Sequence, residues 1–187
     1  MRRAADLRIL LGNYDKLPIP RGVCNQQVVG SNPTAGSSKL IFSSIQMATC
    51  PKSPREVTHG MMYFPRMLDK IRLHACGELH EDYHPNLGTP RTADNMCCNF
   101  LRVHYRDLCE RVLQGGSDEE VLDWCFEKGR RLNEGDLFVW NGFASKLGWR
   151  DSVTPRLEQR KKEYGIADRA DIVTIPDLID FDEGRLK

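Results

Sequence analysis

The sequence predicts an all-α fold, a small single-domain helical bundle of about six helices that follows a disordered N-terminal leader. After Met47, apolar residues recur three and four positions apart, which is the spacing of one helix face. Residues that start and stop helices bracket these apolar segments. No long stretch alternates apolar and polar side chains, so a sheet is not predicted as the main scaffold.

The first helix is predicted over residues 63–76. Its apolar face consists of residues spaced by three and four: Phe64, Met67, Leu68, Ile71 and Ala75. Asp69, Lys70 and Arg72 lie off this face, and Gly77 stands where a C-terminal cap is expected. A Gly- and Pro-containing loop follows and contains two of the five histidines.

The later helices are predicted to begin at polar residues that can cap an N-terminus: Thr92 or Asp94, His104 or Arg106, Ser117, Asn133, Asp151 or Ser152, and Thr174. Ser117 and Glu120 have the spacing of a capping box, in which each side chain bonds the backbone of the other. Glycines are predicted to end several of these helices: Gly115 with Gly116, Gly129, Gly148 and Gly165.

Composition restricts the function classes. The 187 residues are 40% hydrophobic and 28% charged with a net charge of +1, which is typical of a soluble globular domain without nucleic-acid or membrane partners. The basic run at 156–162 is interrupted by acidic residues and is expected to be a solvated helix face. Seven cysteines without a disulfide pattern favour reduced thiols and a cytoplasmic location.

Residues 1–46 differ in kind from residues 47–187. They lack a helical pattern, and residues 22–39 are rich in Gly, Ser, Asn, Thr and Gln. The letters VVGSNPT match the in-frame translation of a transfer-RNA T-arm. We therefore expect 1–46 to be a disordered leader produced by spurious upstream translation, with Met47 as the initiator of an all-helical domain; a natural disordered tail is the alternative.

Several blocks carry a resemblance to a known family. They are PRMLDKIRLHACGEL, DYHPNLG, CCNFL, GGSDEEVLDWCFEKGRR, WNGFASKLGWRD and DFDEGR. Over residues 51–187 the chain resembles a bacterial family known as domain of unknown function 5069. The resemblance implies a small cytosolic domain without an assigned activity, and it implies that Asp69, Lys70, Arg72, Tyr83 and His84 are its recurring polar positions.

Histidines supply the metal hypothesis. His80 to His84 read H-E-x-x-H, the zinc-hydrolase spacing, and His74 lies nearby. The context is unfavourable because Pro85 follows at once and the motif begins shortly after Gly77, whereas a zinc hydrolase places it on a long helix. The family pattern also tends to have Pro at the position of His80. We therefore expect no cofactor, with zinc on His74, His80 and His84 as the alternative.

The candidate polar site comprises Asp69, Arg72, Tyr83 and His84. Asp69 and Arg72 are three residues apart on the first helix, and the loop can fold Tyr83 and His84 back towards them. Such a set can bind an anionic small molecule or supply acid–base groups, or it can fix the loop as a structural network. Two functions follow: a non-catalytic module that binds a protein or small molecule, and a small enzyme or metal-binding protein.

Overall fold

The computed structural model describes residues 50–187. The predicted leader at 1–46 and the predicted start at Met47 lie outside the described residues. Within the described part, the all-α prediction is confirmed. None of its helices is both long enough and apolar enough to cross a membrane.

Seven α-helices and one short 3₁₀ helix make up residues 50–187 together with a small hairpin and the connecting loops. The α-helices are α1 Phe64–Ala75, α2 Ala93–Leu101, α3 Tyr105–Leu113, α4 Asp118–Lys128, α5 Glu134–Lys146, α6 Thr154–Glu163 and α7 Ile175–Asp182. The 3₁₀ helix Glu81–Asn86 occupies the loop predicted after the first helix. Four predicted apolar residues of α1 are buried, whereas Ala75 at its end is exposed.

Most of the predicted caps are confirmed. Thr92 accepts a hydrogen bond from the backbone of α2, and capping boxes stand at Ser117, Asn133 and Thr174. The sixth helix begins later than predicted, at Thr154, because Asp151 uses its carboxylate on the turn amides instead.

A two-stranded antiparallel hairpin precedes α1. Its strands are β1 Val57–Thr58 and β2 Met61–Met62, which the sequence pattern does not predict. Two-residue strands are too short to show period-two alternation. The hairpin matters for the site because the next residue, Tyr63, enters α1 from a left-handed conformation with φ 73°.

The apolar side chains form two clusters. The main cluster has fifteen buried members, drawn from β2, α1, α2, α3, α4 and α5, with Phe64, Met67 and Leu68 at its centre. The satellite cluster has three fully buried members, Leu157, Ile172 and Leu178. Since α6 and α7 contact each other and α5 contacts α7, the satellite cluster lies against one end of the main bundle.

Five described cysteines are free thiols: Cys76, Cys97, Cys98, Cys109 and Cys125. Cys97, Cys98 and Cys125 are buried in the main cluster as small apolar side chains. Burial raises the pKa of Cys125 to about 12, so its thiol stays protonated. Cys50 is disulfide-bonded, which corrects the expectation of reduced thiols at that residue.

Candidate functional site

A cavity of about 140 Å³ lies where the main bundle meets α6 and α7. One wall comes from α1, the 3₁₀ helix and the start of α2, and its side chains at Tyr63, Arg66, Lys70 and Tyr83 are buried. The opposite wall comes from the end of α5 and from α6 and α7, and its side chains are half-buried. The cavity therefore has a buried polar wall and a more accessible apolar rim.

The first buried ionic group of that wall is the Arg66 triad, which comprises Arg66, Glu183 and Tyr83. Arg66 donates two hydrogen bonds to Glu183, with Nη1–Oε2 at 2.9 Å and Nη2–Oε1 at 2.6 Å. The Tyr83 hydroxyl donates to the same carboxylate at 2.6 Å. Arg66 Nη1 also donates to the Lys52 carbonyl at 2.6 Å, and Arg185 contacts Glu183. The triad thus joins both ends of the described chain to α1.

The second group is the Lys70 triad, which comprises Lys70, Asp94 and Tyr63. Lys70 Nζ lies 2.7 Å from Asp94 Oδ1 and 3.2 Å from the Tyr63 hydroxyl, which itself donates to Asp94 Oδ1 at 2.9 Å. Asp94 is fully buried. Arg66 and Lys70 are four residues apart, so one face of α1 presents both cations and each has its own carboxylate and tyrosine.

Burial and charge decide the protonation of these groups. Burial alone raises the pKa of Glu183, but the hydrogen bonds and charge of Arg66, with those of Tyr83 and Arg185, lower it overall. Burial lowers the pKa of Lys70, and the charge of Asp94 opposes that shift without cancelling it. Burial and the Asp94 charge raise the pKa of Tyr63 far above its ordinary value. Burial and the Glu183 charge raise the pKa of Tyr83 as well. Both hydroxyls are therefore protonated at physiological pH, and each donates its one proton to a carboxylate, Tyr63 to Asp94 and Tyr83 to Glu183.

The charged residues that line the cavity are mostly cations. Arg91 and Arg156 join Arg66 and Lys70, and Asp182 is the only carboxylate on the lining formed by residues 50–187. Asp94 and Glu183, which balance the two α1 cations, lie behind the wall and do not line the cavity. The lining side chains alone thus include more cations than carboxylates, while Glu183 and Asp94 pair with two of those cations from outside the lining.

Two lining residues adopt strained backbone conformations. Tyr63 has φ 73° and Arg91 has φ 69°, and neither is glycine. Left-handed conformations cost an ordinary residue about 1 kcal/mol or more and concentrate at functional sites. Among residues 50–187, three further non-glycine residues with positive φ, His59, Arg102 and Arg150, do not line the cavity, so the backbone conformation places these two side chains without by itself marking a site.

The rim of the cavity is apolar. It is formed by aliphatic and thioether side chains from four helices and their ends: Met96, Leu147, Val153, Ile175 and Ile179. The first turn of α2, at Thr92 and Ala93, also lines the cavity and adds the positive end of a helix dipole. The cavity therefore combines charged side chains, from α1 and also from α6 and α7, with an apolar rim.

The four residues of the predicted polar site do not lie together in the structure. Asp69 accepts the Lys52 amide at 2.9 Å, and Arg72 pairs with Asp118 at 2.6 Å. Exposed His84 has its ring Nε2 3.2 Å from the Leu79 carbonyl. Of the four, only Tyr83 lines the cavity.

The predicted zinc histidines occupy the surface beside the 3₁₀ helix. His80 accepts the Asp82 amide at 3.3 Å, which makes it a helix cap. The rings of His74 and His84 meet edge to face with centroids 4.7 Å apart. Within residues 50–187, no group of three or more His, Cys, Asp and Glu side chains is arranged to hold a metal ion.

The basic run at 156–162 is not the solvated face that the sequence predicts. Arg156 lines the cavity, and burial together with Arg160 lowers its pKa. Lys161 is buried and donates to the Arg169 carbonyl at 2.8 Å. Long cationic side chains can bury their stems while their heads reach acceptors, which the spacing of charges along a helix does not reveal.

Sequence reasoning missed most of the site: Tyr63, Arg66, Arg91, Asp94, Arg156 and Glu183. Lys70 was noted only through the family resemblance. One local feature could have indicated that Arg66 is buried. It stands in the first turn of α1, directly before the core residues Met67 and Leu68. The partners of Arg66 and Lys70 are distant in sequence, 117 and 24 residues away, so spacing does not identify them.

The fold and the cavity together define, within residues 50–187, a small helical domain with a cavity beside a buried ionic wall. The family model described as Domain of unknown function (DUF5069) matches residues 48–185, so the chain belongs to that family. No curated protein matches the chain.

Proposed function

We propose that this domain binds a small anionic molecule with a compact apolar body in the cavity beside α1. The observation that carries the proposal is the lining formed by residues 50–187, in which four cationic side chains accompany a single carboxylate. A carboxylate or phosphate on the ligand would accept charge-assisted hydrogen bonds from this wall. The domain is then a non-catalytic binding module, and we place it in the cytoplasm because five of its six described cysteines, all but Cys50, are free thiols.

The size and polarity of the cavity narrow the ligand class. A dry protein cavity of roughly 150 Å³ accommodates a molecule such as benzene, and this cavity measures about 140 Å³. The apolar rim formed by Leu147, Val153, Ile175 and Ile179 suits a flat ring or a branched chain. Aromatic and branched-chain acids therefore fit better than sugars or nucleotides.

Isothermal titration calorimetry on the full chain tests this proposal with benzoate, isovalerate and phenyl phosphate as probes. Benzyl alcohol is the neutral counterpart of benzoate. We expect at least one anion to bind, and benzyl alcohol to bind at least about tenfold more weakly than benzoate, because a charge-assisted hydrogen bond contributes about 1.5–3 kcal/mol.

Substitution identifies the cavity as the binding site. Arg156→Met removes a lining cation and should weaken anion binding about tenfold. Arg106→Met is the matched control, since Arg106 is exposed on α3 and pairs with Glu110. The proposal fails if none of the three anions binds, if benzyl alcohol binds as well as benzoate, or if both variants behave like the wild type.

A second candidate function, acid–base catalysis on the bound anion, is favoured by the Lys70 triad. Lys70 has a lowered pKa and lies 3.2 Å from the Tyr63 hydroxyl, and both residues line the cavity. Such a pair can transfer a proton to or from a bound molecule. Mass spectrometry of a bound probe separates the two functions: a binding module returns it unchanged, whereas an enzyme returns a product that Tyr63→Phe no longer forms.

A further inference from the structure

Helix α5, Glu134–Lys146, has apolar side chains on two opposite faces. The inward face packs on the main cluster through Leu137, Trp140 and Ala144. The outward face presents two large apolar side chains, Phe138 and Val139, which are 81% and 62% exposed. Phe143, 42% exposed, lies at the flank of the helix with its ring 5.8 Å from that of Trp140. A surface helix normally carries polar residues on its outer side, and exposed aromatic patches mark interaction surfaces.

Two glycines lie on the same outward face of α5 and leave it without side chains at their positions. Gly135 and Gly142 lie within one helical turn of Phe138, on either side of it. Beyond the backbone of its own helix, no heavy atom of residues 50–187 lies within 4 Å of the space that a Cβ would fill at Gly142. A glycine inside a helix costs roughly 0.5–1 kcal/mol relative to alanine. Here the glycine leaves open surface one turn from the exposed phenyl ring of Phe138, where a side chain of a neighbouring helix can approach the backbone closely.

We propose that α5 docks antiparallel on α5 of a second copy of this chain. In the register that sets Phe138 beside Gly142 of the second copy, Glu134 lies beside Lys146 of that copy. A twofold axis generates each pair twice. The Phe138 ring of each copy then packs against Gly142 of the other, and each Glu134 carboxylate lies level with a Lys146 ammonium. The charges at the two ends of α5 are thus compatible with the register that the packing of Phe138 against Gly142 sets.

General features of helix pairs support this occupant. A twofold interface uses one surface patch twice, so it requires a self-complementary face like this one. Antiparallel helices also align their dipoles favourably, because each positive end lies beside a negative end. Aromatic side chains at the centre with charges at the edge are the usual composition of an interface.

The interface is separate from the cavity. Among the residues of α5 and its C-terminal cap, only Leu147 lines the cavity, and it does so from the end of the helix. The dimer proposal therefore does not depend on the proposed ligand.

Sedimentation equilibrium of the full chain tests the dimer. The wild type should be a dimer, and Phe138→Asp should raise its dissociation constant at least tenfold by placing a carboxylate at the interface. Leu113→Asp is the matched control, because Leu113 is 58% exposed on α3 and lies off the proposed interface. Circular dichroism confirms that each variant is folded.

Charge reversal tests the register. Glu134→Lys alone sets two lysines against each other and should weaken the dimer, and Lys146→Glu alone should do the same with two carboxylates. The double variant Glu134→Lys/Lys146→Glu restores opposite charges and should recover wild-type association. A monomeric wild type, an equal effect of Leu113→Asp and Phe138→Asp, or a double variant weaker than either single variant would overturn the proposal.

Discussion

Two cations on α1 show how single residues decide this site. Arg66 and Lys70 are both only 3% exposed, and ions of this kind are buried at a cost of several kcal/mol unless they are paired. Each one therefore depends on a carboxylate brought from elsewhere, Glu183 from the C-terminus and Asp94 from α2. Removing either carboxylate leaves an uncompensated charge inside the protein.

The prediction for single residues concerns Glu183 and the pH dependence of the free energy of unfolding. The folded-state pKa of Glu183 lies below its ordinary value of 4.5, so the native state favours the ionised form. Its stabilisation is present above pH 4.5 and is lost as the pH falls through the lower folded-state value. We expect the free energy of unfolding of the wild type, measured with urea, to fall over that acid range.

Glu183→Gln isolates this contribution. The variant should be about 3 kcal/mol less stable than the wild type at neutral pH, because a buried pair loses one partner. The difference should shrink in acid. Glu110→Gln is the control, since Glu110 belongs to an exposed pair on α3 worth at most about 1 kcal/mol. A difference that stays constant from neutral to acid pH contradicts the assignment.

At the scale of elements, local patterns located most helix ends correctly. Thr92, Ser117, Asn133 and Thr174 act as the predicted caps because a cap needs only a side chain and the amides three residues later. The β1–β2 hairpin was missed because its strands are two residues each, and their pairing depends on packing against α1, α4 and α5.

The prediction for the secondary-structure elements concerns Gly129, the residue that caps the C-terminus of α4. The sequence marks it as a helix stop, and the structure gives a second reason for glycine. A Cβ at this position would lie 2.1 Å from the Leu101 carbonyl oxygen, which also accepts the Arg130 amide at 2.9 Å. Gly129→Ala must move the end of α4 away from α2, at a cost of about 1–3 kcal/mol.

Urea denaturation of Gly129→Ala measures that cost. Lys128→Ala is a neighbouring control, because Lys128 is exposed and its replacement should change stability by less than about 0.5 kcal/mol. Equal stability of the two variants would show that α4 and α2 can separate freely.

For the whole molecule, the decisive feature is the division into two apolar clusters with the cavity at their junction. The satellite cluster of α6 and α7 has three fully buried members, against fifteen in the main cluster. Segments with little buried apolar surface open with lower free energies. A molecule bound at the junction contacts both parts and should hold them together.

Hydrogen exchange tests that coupling. Without an added probe, amides of α6 and α7 should exchange faster than those of α1. A saturating anion, benzoate if it binds as proposed, should slow exchange in α6 and α7 more than in α3, which does not line the cavity. Uniform slowing over all helices, or none in α6 and α7, would contradict the placement of the cavity between the clusters.

The sequence by itself determined the helices, most of their caps and the apolar face of α1, because each of these depends on residues within a few positions of one another. Only the tertiary structure decided the site. Arg66 meets Glu183 and Lys70 meets Asp94 across 117 and 24 residues, and Asp69, Arg72 and His84 turn to other partners. The physical reason is that a buried charge is stabilised by whichever opposite charge the packing brings to it, and packing is not encoded in local spacing.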